Sequence, residues 1–309
     1  MFDVLIIGSG PSGMTCAIYA KRFNLNVGII ESECPGGEVV KNNAIQNYPG
    51  FSSIDGTDLA MKMFSQMTEL GVEYLGGKVS KINKKAEQSF EVFLEDDTVY
   101  ESKSVVIATG TRDRTLGLEN EEKYFYNGIS WCAVCDGPIY KDMEVAVVGG
   151  GLSAISSALT LARSSKKVHL IHRRDEFRGE KIDLDKLKEL DNVIIHTNSQ
   201  IVKMENKNNE NKLDTLTIQN KNGDTKELNV ECLFECIGKL PNNQFILNNS
   251  ELDKIELDKE GFIIVDEDMQ TSVKGLFACG DIISKKVRQI ATAVNDGAIA
   301  GISANKYIN

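Results

Sequence analysis

The sequence predicts an α/β protein of two parallel-sheet domains, one inserted into the other. Three observations carry this. An apolar strand, a glycine-rich turn, a helix and a second strand follow one another over residues 2–30, and the same series returns over 144–171. The strands are near-continuous apolar runs, as in parallel sheets covered on both faces. Short alternating strands dominate 73–108, and the same texture returns over 200–236.

The first unit reads as a strand near 2–7, the turn Gly8-Ser9-Gly10-Pro11-Ser12-Gly13, a helix near 11–23 and a strand near 27–30. An amphipathic helix from Asp58 to Leu70 stops at Gly71, and Asp96-Asp97 forms a turn between two of the strands that follow. The second unit has a strand near 144–148, the turn Gly149-Gly150-Gly151, a helix near 152–164 and a strand near 168–171. The polar loop 204–213 reads as a solvated hairpin end. Hinge candidates are Thr111–Gly117, which follows a buried strand ending in Gly110, and Gly238–Asn243, which contains Pro241. Cutting there gives a discontinuous domain, 1–114 with 241–309, and an inserted domain, 115–240. The closing segment Gln289–Ile308 is expected to be mostly helical, interrupted at Asn295-Asp296-Gly297.

The chain has 309 residues, 41% of them hydrophobic, and a formal net charge of −10. The charge argues against nucleic acid or an anionic membrane as partner. No apolar run approaches the roughly 20 residues needed to span a bilayer. The start, Met1-Phe2-Asp3-Val4, lacks the basic region of a signal peptide. Seven cysteines are an odd set for a disulfide scaffold, and the expected home is a reducing cytosol.

Gly8, Gly10 and Gly13 match G-x-G-x-x-G between a strand and a helix, the Rossmann-like signature of a dinucleotide site. The helix start offers free N–H groups to a pyrophosphate. Glu31 ends the second strand 18 residues after Gly13, where a carboxylate can accept from ribose hydroxyls. In Gly275-Leu276-Phe277-Ala278-Cys279-Gly280-Asp281, Asp281 closes a strand at the sheet edge where ligands bind; it suits the sugar-alcohol chain of a flavin or, more simply, a helix cap. Cys34 reads as an incidental loop thiol and Cys279 as core. In the second turn, Gly149, Gly151 and Ala154 repeat the spacing. The strand after it ends in no acid but in His172, Arg173 and Arg174, with Arg178 one turn later. Guanidinium groups there select a 2′-phosphate, hence NADP(H); a solvated basic patch is the plainer reading.

Between the turns lies Trp131-Cys132-Ala133-Val134-Cys135-Asp136-Gly137. As a redox pair, one thiolate attacks an incoming disulfide and the other resolves the mixed disulfide. Asp136 is placed to move the proton of a leaving thiolate, or to serve only as a turn residue before Gly137-Pro138. Half of a zinc site is the competing reading. Its partner pair, Cys232 and Cys236, falls on one face of a strand with Phe234, which suits a core better than a metal.

Together these motifs resemble bacterial low-molecular-weight thioredoxin reductases over nearly the whole chain; Arg288-Gln289 and Asn295-Asp296-Gly297-Ala298 add to the likeness. The resemblance implies two Rossmann-like three-layer ββα domains, with FAD in 1–114 plus 241–309 and NADPH in 115–240. It implies electron transfer from NADPH through FAD and Cys132–Cys135 to thioredoxin, in a cytoplasmic homodimer whose domains rotate about the two hinges. Matching positions imply that Cys135 faces the flavin and Cys132 attacks the protein disulfide. They imply FAD contacts from Ser12, Ser32, Gly36, Gly37, Glu38 and Asn47. Further FAD contacts implied are Gly110, Gly280, Asp281, Arg288, Gln289 and Ile290. For NADPH, Ser153 and Gly238 join the turn and arginine residues named above. The second turn departs from the family pattern at Leu152, Ser156 and Ser157, where relatives carry a polar residue and two acids. That departure is the basis of an alternative, a related flavoprotein fed by ferredoxin or flavodoxin with a degenerate NADPH domain.

Overall fold

The computed structural model describes residues 1–42, 45–178, 181–207, 212–247 and 254–309. Contacts divide the chain into two compact units, Met1–Arg112 with Leu240–Asn309, and Asp113–Lys239.

In the first unit a parallel block runs Glu73–Gly76, Val27–Glu31, Phe2–Ile7, Val99–Ile107, with Leu276–Ala278 added beside the last half of Val99–Ile107. The first half of that long strand pairs antiparallel with Ser89–Leu94, which pairs with Val79–Ala86. Val4, Leu5, Ile6, Ile29 and Val105–Ile107 are almost wholly buried, which is why their runs carry no polar alternation. Pro11 opens the helix Pro11–Arg22, where its missing N–H costs no hydrogen bond. The helix Gly56–Glu69 starts two residues before the expected Asp58, because the Asp55 carboxylate caps the amides of Thr57 and Asp58.

The last helix, Ile290–Ile308, corrects an expectation. It runs unbroken through Asn295-Asp296-Gly297. A side chain at Gly297 would strike the carbonyl oxygen of Ser12, so the glycine is there to let two helices touch, not to end one. Asp296 is held by Lys285 at 2.7 Å. The start is fixed by a capping box between Gln289 and Thr292.

In the second unit five parallel strands run Val193–His196, Lys167–Ile171, Glu144–Val148, Cys232–Glu235, Ile129–Ser130. One face packs on the helix Leu152–Ala162 through Val145, Val147, Ile155, Leu161 and Phe234. The other face packs Ala146, Val148 and Leu233 against Ile201, Leu216 and Leu228 of an antiparallel sheet made of Ser199–Glu205, Thr215–Asn220 and Thr225–Asn229. This is the three-layer arrangement expected. Of the expected polar hairpin end at 204–213, positions 208–211 lie outside the described residues.

The two passages of chain lie side by side within each unit. Asn242 N–H donates to the Gly110 carbonyl at 3.1 Å in the first, and Arg114 N–H donates to the Gly238 carbonyl at 3.0 Å in the second. Among the described residues no helix is long and apolar enough to cross a membrane.

Candidate active site

At the first glycine turn the strand and helix approach so closely that a Cβ on Gly13 would meet the Gly8 carbonyl oxygen. A Cβ on Gly10 would meet nothing within 4 Å, so this glycine faces open space. No side chain caps the helix at Gly10, which leaves its first amides for an anion. This is the cradle a pyrophosphate fits. Glu31 reaches the turn from the neighbouring strand: its carboxylate accepts from Ser9 N–H and Ser9 Oγ, both at 2.8 Å, and from Ser32 N–H at 2.8 Å. Gly36 N–H donates to the Ser9 carbonyl at 2.9 Å, and Gly37 packs beside Gly10. Glu38 pairs with Lys41 on the surface.

The chain's far end closes on the same edge. Gly280 lies against Ser12, and Asp281 follows it in a short 3-10 turn, 3.4 Å from Lys285 Nζ. Asn47 Nδ2 donates to Gln289 Oε1 at 3.0 Å, joining two expected site residues 242 positions apart. Ile290 begins the last helix. Gly110 takes a left-handed φ of 63° just after the strand Val99–Ile107. Arg288 is differently engaged. Its guanidinium donates to the carbonyls of Asp281, Ile283 and Lys285 and stacks on Phe262, so in this structure it holds the 281–285 loop.

The second turn has the same build. Ala154 is buried under Gly149, Gly151 faces open space, and Ser153 is exposed on the first turn of the helix Leu152–Ala162. Arg178 N–H donates to the Gly150 carbonyl at 2.7 Å, which ties the arginine segment to the turn. The side chains of Arg173, Arg174 and Arg178 are exposed. His172 stands apart from them. It is buried, its Nε2 lies 3.1 Å from the Glu176 carbonyl, and its ring packs on Phe177 and fills the space a Gly150 side chain would need. Burial holds this imidazole below the usual histidine range, and the arginines push the same way. Leu152 is exposed, and Ser157 accepts from Cys236 Sγ at 3.3 Å.

In this same unit Cys132 and Cys135 form a disulfide. Cys132 caps the short helix Ala133–Asp136, with Cys135 N–H 3.2 Å from its sulfur. Ala133 anchors that helix in the core beside Leu161, and Gly137 lets it sit close to Leu161. Both cysteines are half-buried. Ser130 links the pair to the acid: its Oγ donates to Asp136 Oδ2 at 2.6 Å and accepts from Cys132 N–H at 3.1 Å. Burial raises the Asp136 carboxyl above the ordinary range, and the Ser130 hydroxyl opposes that shift. Cys232 is fully buried on the face it shares with Phe234, and burial also pushes Cys236 up, to about 11.

A model of the pyridine nucleotide-disulphide oxidoreductase family matches residues 2–297. The chain belongs to that family. Among curated relatives, a thioredoxin reductase of Mycoplasma pneumoniae is 44% identical over 301 residues, covering 97% of this chain and 93% of the relative. A solved thioredoxin reductase of Streptococcus pyogenes is 42% identical with a TM-score of 0.88, covering 99% of this chain and 98% of that one. A thioredoxin reductase of Giardia duodenalis is 29% identical with a TM-score of 0.87, covering 99% and 98%.

Within this pyridine nucleotide-disulphide oxidoreductase, three supporting residues escaped the sequence reading. Ser130 sits on a two-residue strand that no periodicity reveals. Lys285 bridges Asp281 and Asp296 across the loop before the last helix. Phe262 supplies the ring under Arg288. Nothing in the sequence marks Lys285 or Phe262, since their partners lie far along the chain or in irregular loops.

Proposed function

We infer that this chain is a thioredoxin reductase that uses NADPH, FAD and the Cys132–Cys135 pair to reduce the disulfide of thioredoxin. One observation carries the reading: the disulfide sits on a short helix in the unit that also holds the second glycine turn and its arginines. The open faces of Gly10 and Gly151, each beside a helix start, suit the two pyrophosphates. Glu31, Asp281 and the Asn47–Gln289 pair belong to the FAD side; Arg173, Arg174 and Arg178 belong to the NADPH 2′-phosphate. When bound, the two cofactors supply the electron pair that converts the Cys132–Cys135 disulfide to a dithiol.

The residues then divide the work. Cys132 attacks one sulfur of the thioredoxin disulfide as a thiolate, and the other thioredoxin sulfur leaves. Asp136, protonated more readily than an ordinary aspartate, hands a proton to that leaving sulfur. Cys135 attacks Cys132, releasing the second thioredoxin thiol and restoring the intramolecular disulfide. The net reaction converts NADPH, a proton and one disulfide to NADP⁺ and two thiols. Ser130 keeps Asp136 and the Cys132 backbone in register. The motif resemblance also supports a cytosolic homodimer, which light scattering of the purified protein checks.

The test is NADPH oxidation with thioredoxin as acceptor, comparing the natural chain with Cys135→Ser. Turnover in the first and none in the second is expected. Retained turnover without Cys135 refutes the relay. Reduction of thioredoxin by reduced ferredoxin but not by NADPH favours the alternative raised by Leu152, Ser156 and Ser157.

A further inference from the structure

Glu235 and Glu121 are the two most deeply buried acids among the described residues, 2% and 3% exposed, and the disulfide chemistry above uses neither. Glu235 ends the strand Cys232–Glu235, and Glu121 opens the short helix Glu121–Tyr124. Glu121 is fully engaged on one side: its two oxygens accept from Leu116 N–H at 2.8 Å and Leu118 N–H at 2.9 Å. Side chains alternate along the strand, so Glu235 shares its face with Leu233, among Leu116, Leu118, Phe125 and Trp131. Neither Glu235 oxygen nor Trp131 Nε1 reaches solvent, and none has a hydrogen-bond partner at bonding distance among the described residues. The charged and titratable groups facing Glu235 are Glu121, Asp113 and Cys236, and Asp113 is itself paired with Lys239 at 2.6 Å.

Two charged carboxylates in such a pocket are strongly disfavoured. A neutral carboxylic acid has one O–H to give and lone pairs to spare. Glu121 retains lone pairs, and the Trp131 indole offers only a donor. We propose that Glu235 is a positioning residue: a neutral acid that donates its proton to Glu121, accepts the indole N–H of Trp131, and so holds the segment leading into Cys132. Trp131 also packs edge-on against Phe125 and Tyr126, with ring centroids 5.0 and 5.5 Å away, so its ring is fixed on two sides and the indole N–H is the end left to tether. Burial and then Glu121 push Glu235 up to about 9, which keeps the proton in place at neutral pH.

Trp131 is the single tryptophan of the chain, so its emission reports this site alone. The experiment is a pH titration of tryptophan fluorescence on the holoenzyme in its disulfide form, where Cys132 and Cys135 do not titrate. The natural chain should show a transition centred near pH 9, and Glu235→Gln, which keeps a neutral donor and acceptor, should lose it. Tyrosine ionisation is common to both proteins and drops out of the comparison. Flat emission in the natural chain, or the same transition in E235Q, overturns the proposal. Glu121→Gln is the second variant. Removing that neighbouring charge should move the midpoint down, and an unmoved midpoint is equally contrary. The readout involves no turnover, so its failure leaves the disulfide reductase reading intact.

Discussion

Replacing Ser130 by alanine separates the role of Asp136 from that of the cysteines. The hydroxyl donates to Asp136 Oδ2 at 2.6 Å and so favours the charged carboxylate against the burial that opposes it. A hydrogen bond to a charged group contributes about 1.5–3 kcal/mol. Ser130→Ala removes the contact that opposes burial and should raise the Asp136 pKa further. The proton donor then survives to higher pH. The sign for stability follows the same shift. The neutral form of a carboxyl raised above its unfolded value contributes stability that is fully present below that unfolded value and is lost as pH rises through the folded one. The variant moves the upper end of that window upward. The assay is the pH dependence of thioredoxin reduction at saturating NADPH. The alkaline limb should shift up in Ser130→Ala and stay in place in Ser130→Thr, which keeps the hydroxyl. A limb that stays put in Ser130→Ala, or moves down, refutes the assignment of Asp136 as the proton donor.

Neutralising Arg173, Arg174 and Arg178 together should raise the KM for NADPH by about 10-fold or more per lost guanidinium while leaving that for NADH nearly unchanged, since each charge-assisted contact to a phosphate contributes about 1.5–3 kcal/mol; equal loss with both nucleotides contradicts their role. Gly150→Ala should push the His172 ring off Phe177 and the Glu176 carbonyl, costing about 1–3 kcal/mol and weakening NADPH binding, seen by thermal unfolding and calorimetry. Glu235→Gln should match the natural chain in stability near pH 4. Above that it should become the more stable, by about 3 kcal/mol at pH 7, with no further gain beyond pH 9, because the natural Glu235 loses stability between its unfolded value and about 9. Denaturant titrations at three pH values check this.

The backbone framework was legible because it rests on local sterics. Gly8 and Gly13 report directly where the turn forbids a Cβ, Gly10 marks its open face, and the apolar runs of the strands report burial on both faces. The same logic misled at Asn295-Asp296-Gly297. The three residues look like a break until the first helix is seen pressed against Gly297, where Ser12 lies close to a residue near the other end of the chain. His172 and Arg288 show the limit for side chains. A strand-end position brings His172 to a site and the motif resemblance brings Arg288, but their hydrogen bonds go to Glu176 and to the 281–285 carbonyls, which only the folded loops supply. Ser130 and Glu235 were invisible for the opposite reason. A serine on a two-residue strand and a glutamate at a strand end are ordinary in sequence, and their meaning comes from Asp136, Glu121 and Trp131 closing around them.

The most direct measurement is an anaerobic titration of the purified protein with NADPH, followed by visible absorbance, with oxidised thioredoxin added at the end. The flavin band should be lost on adding NADPH and return when thioredoxin arrives. A colourless protein that takes up no FAD, or a flavin that NADPH leaves unchanged, contradicts it.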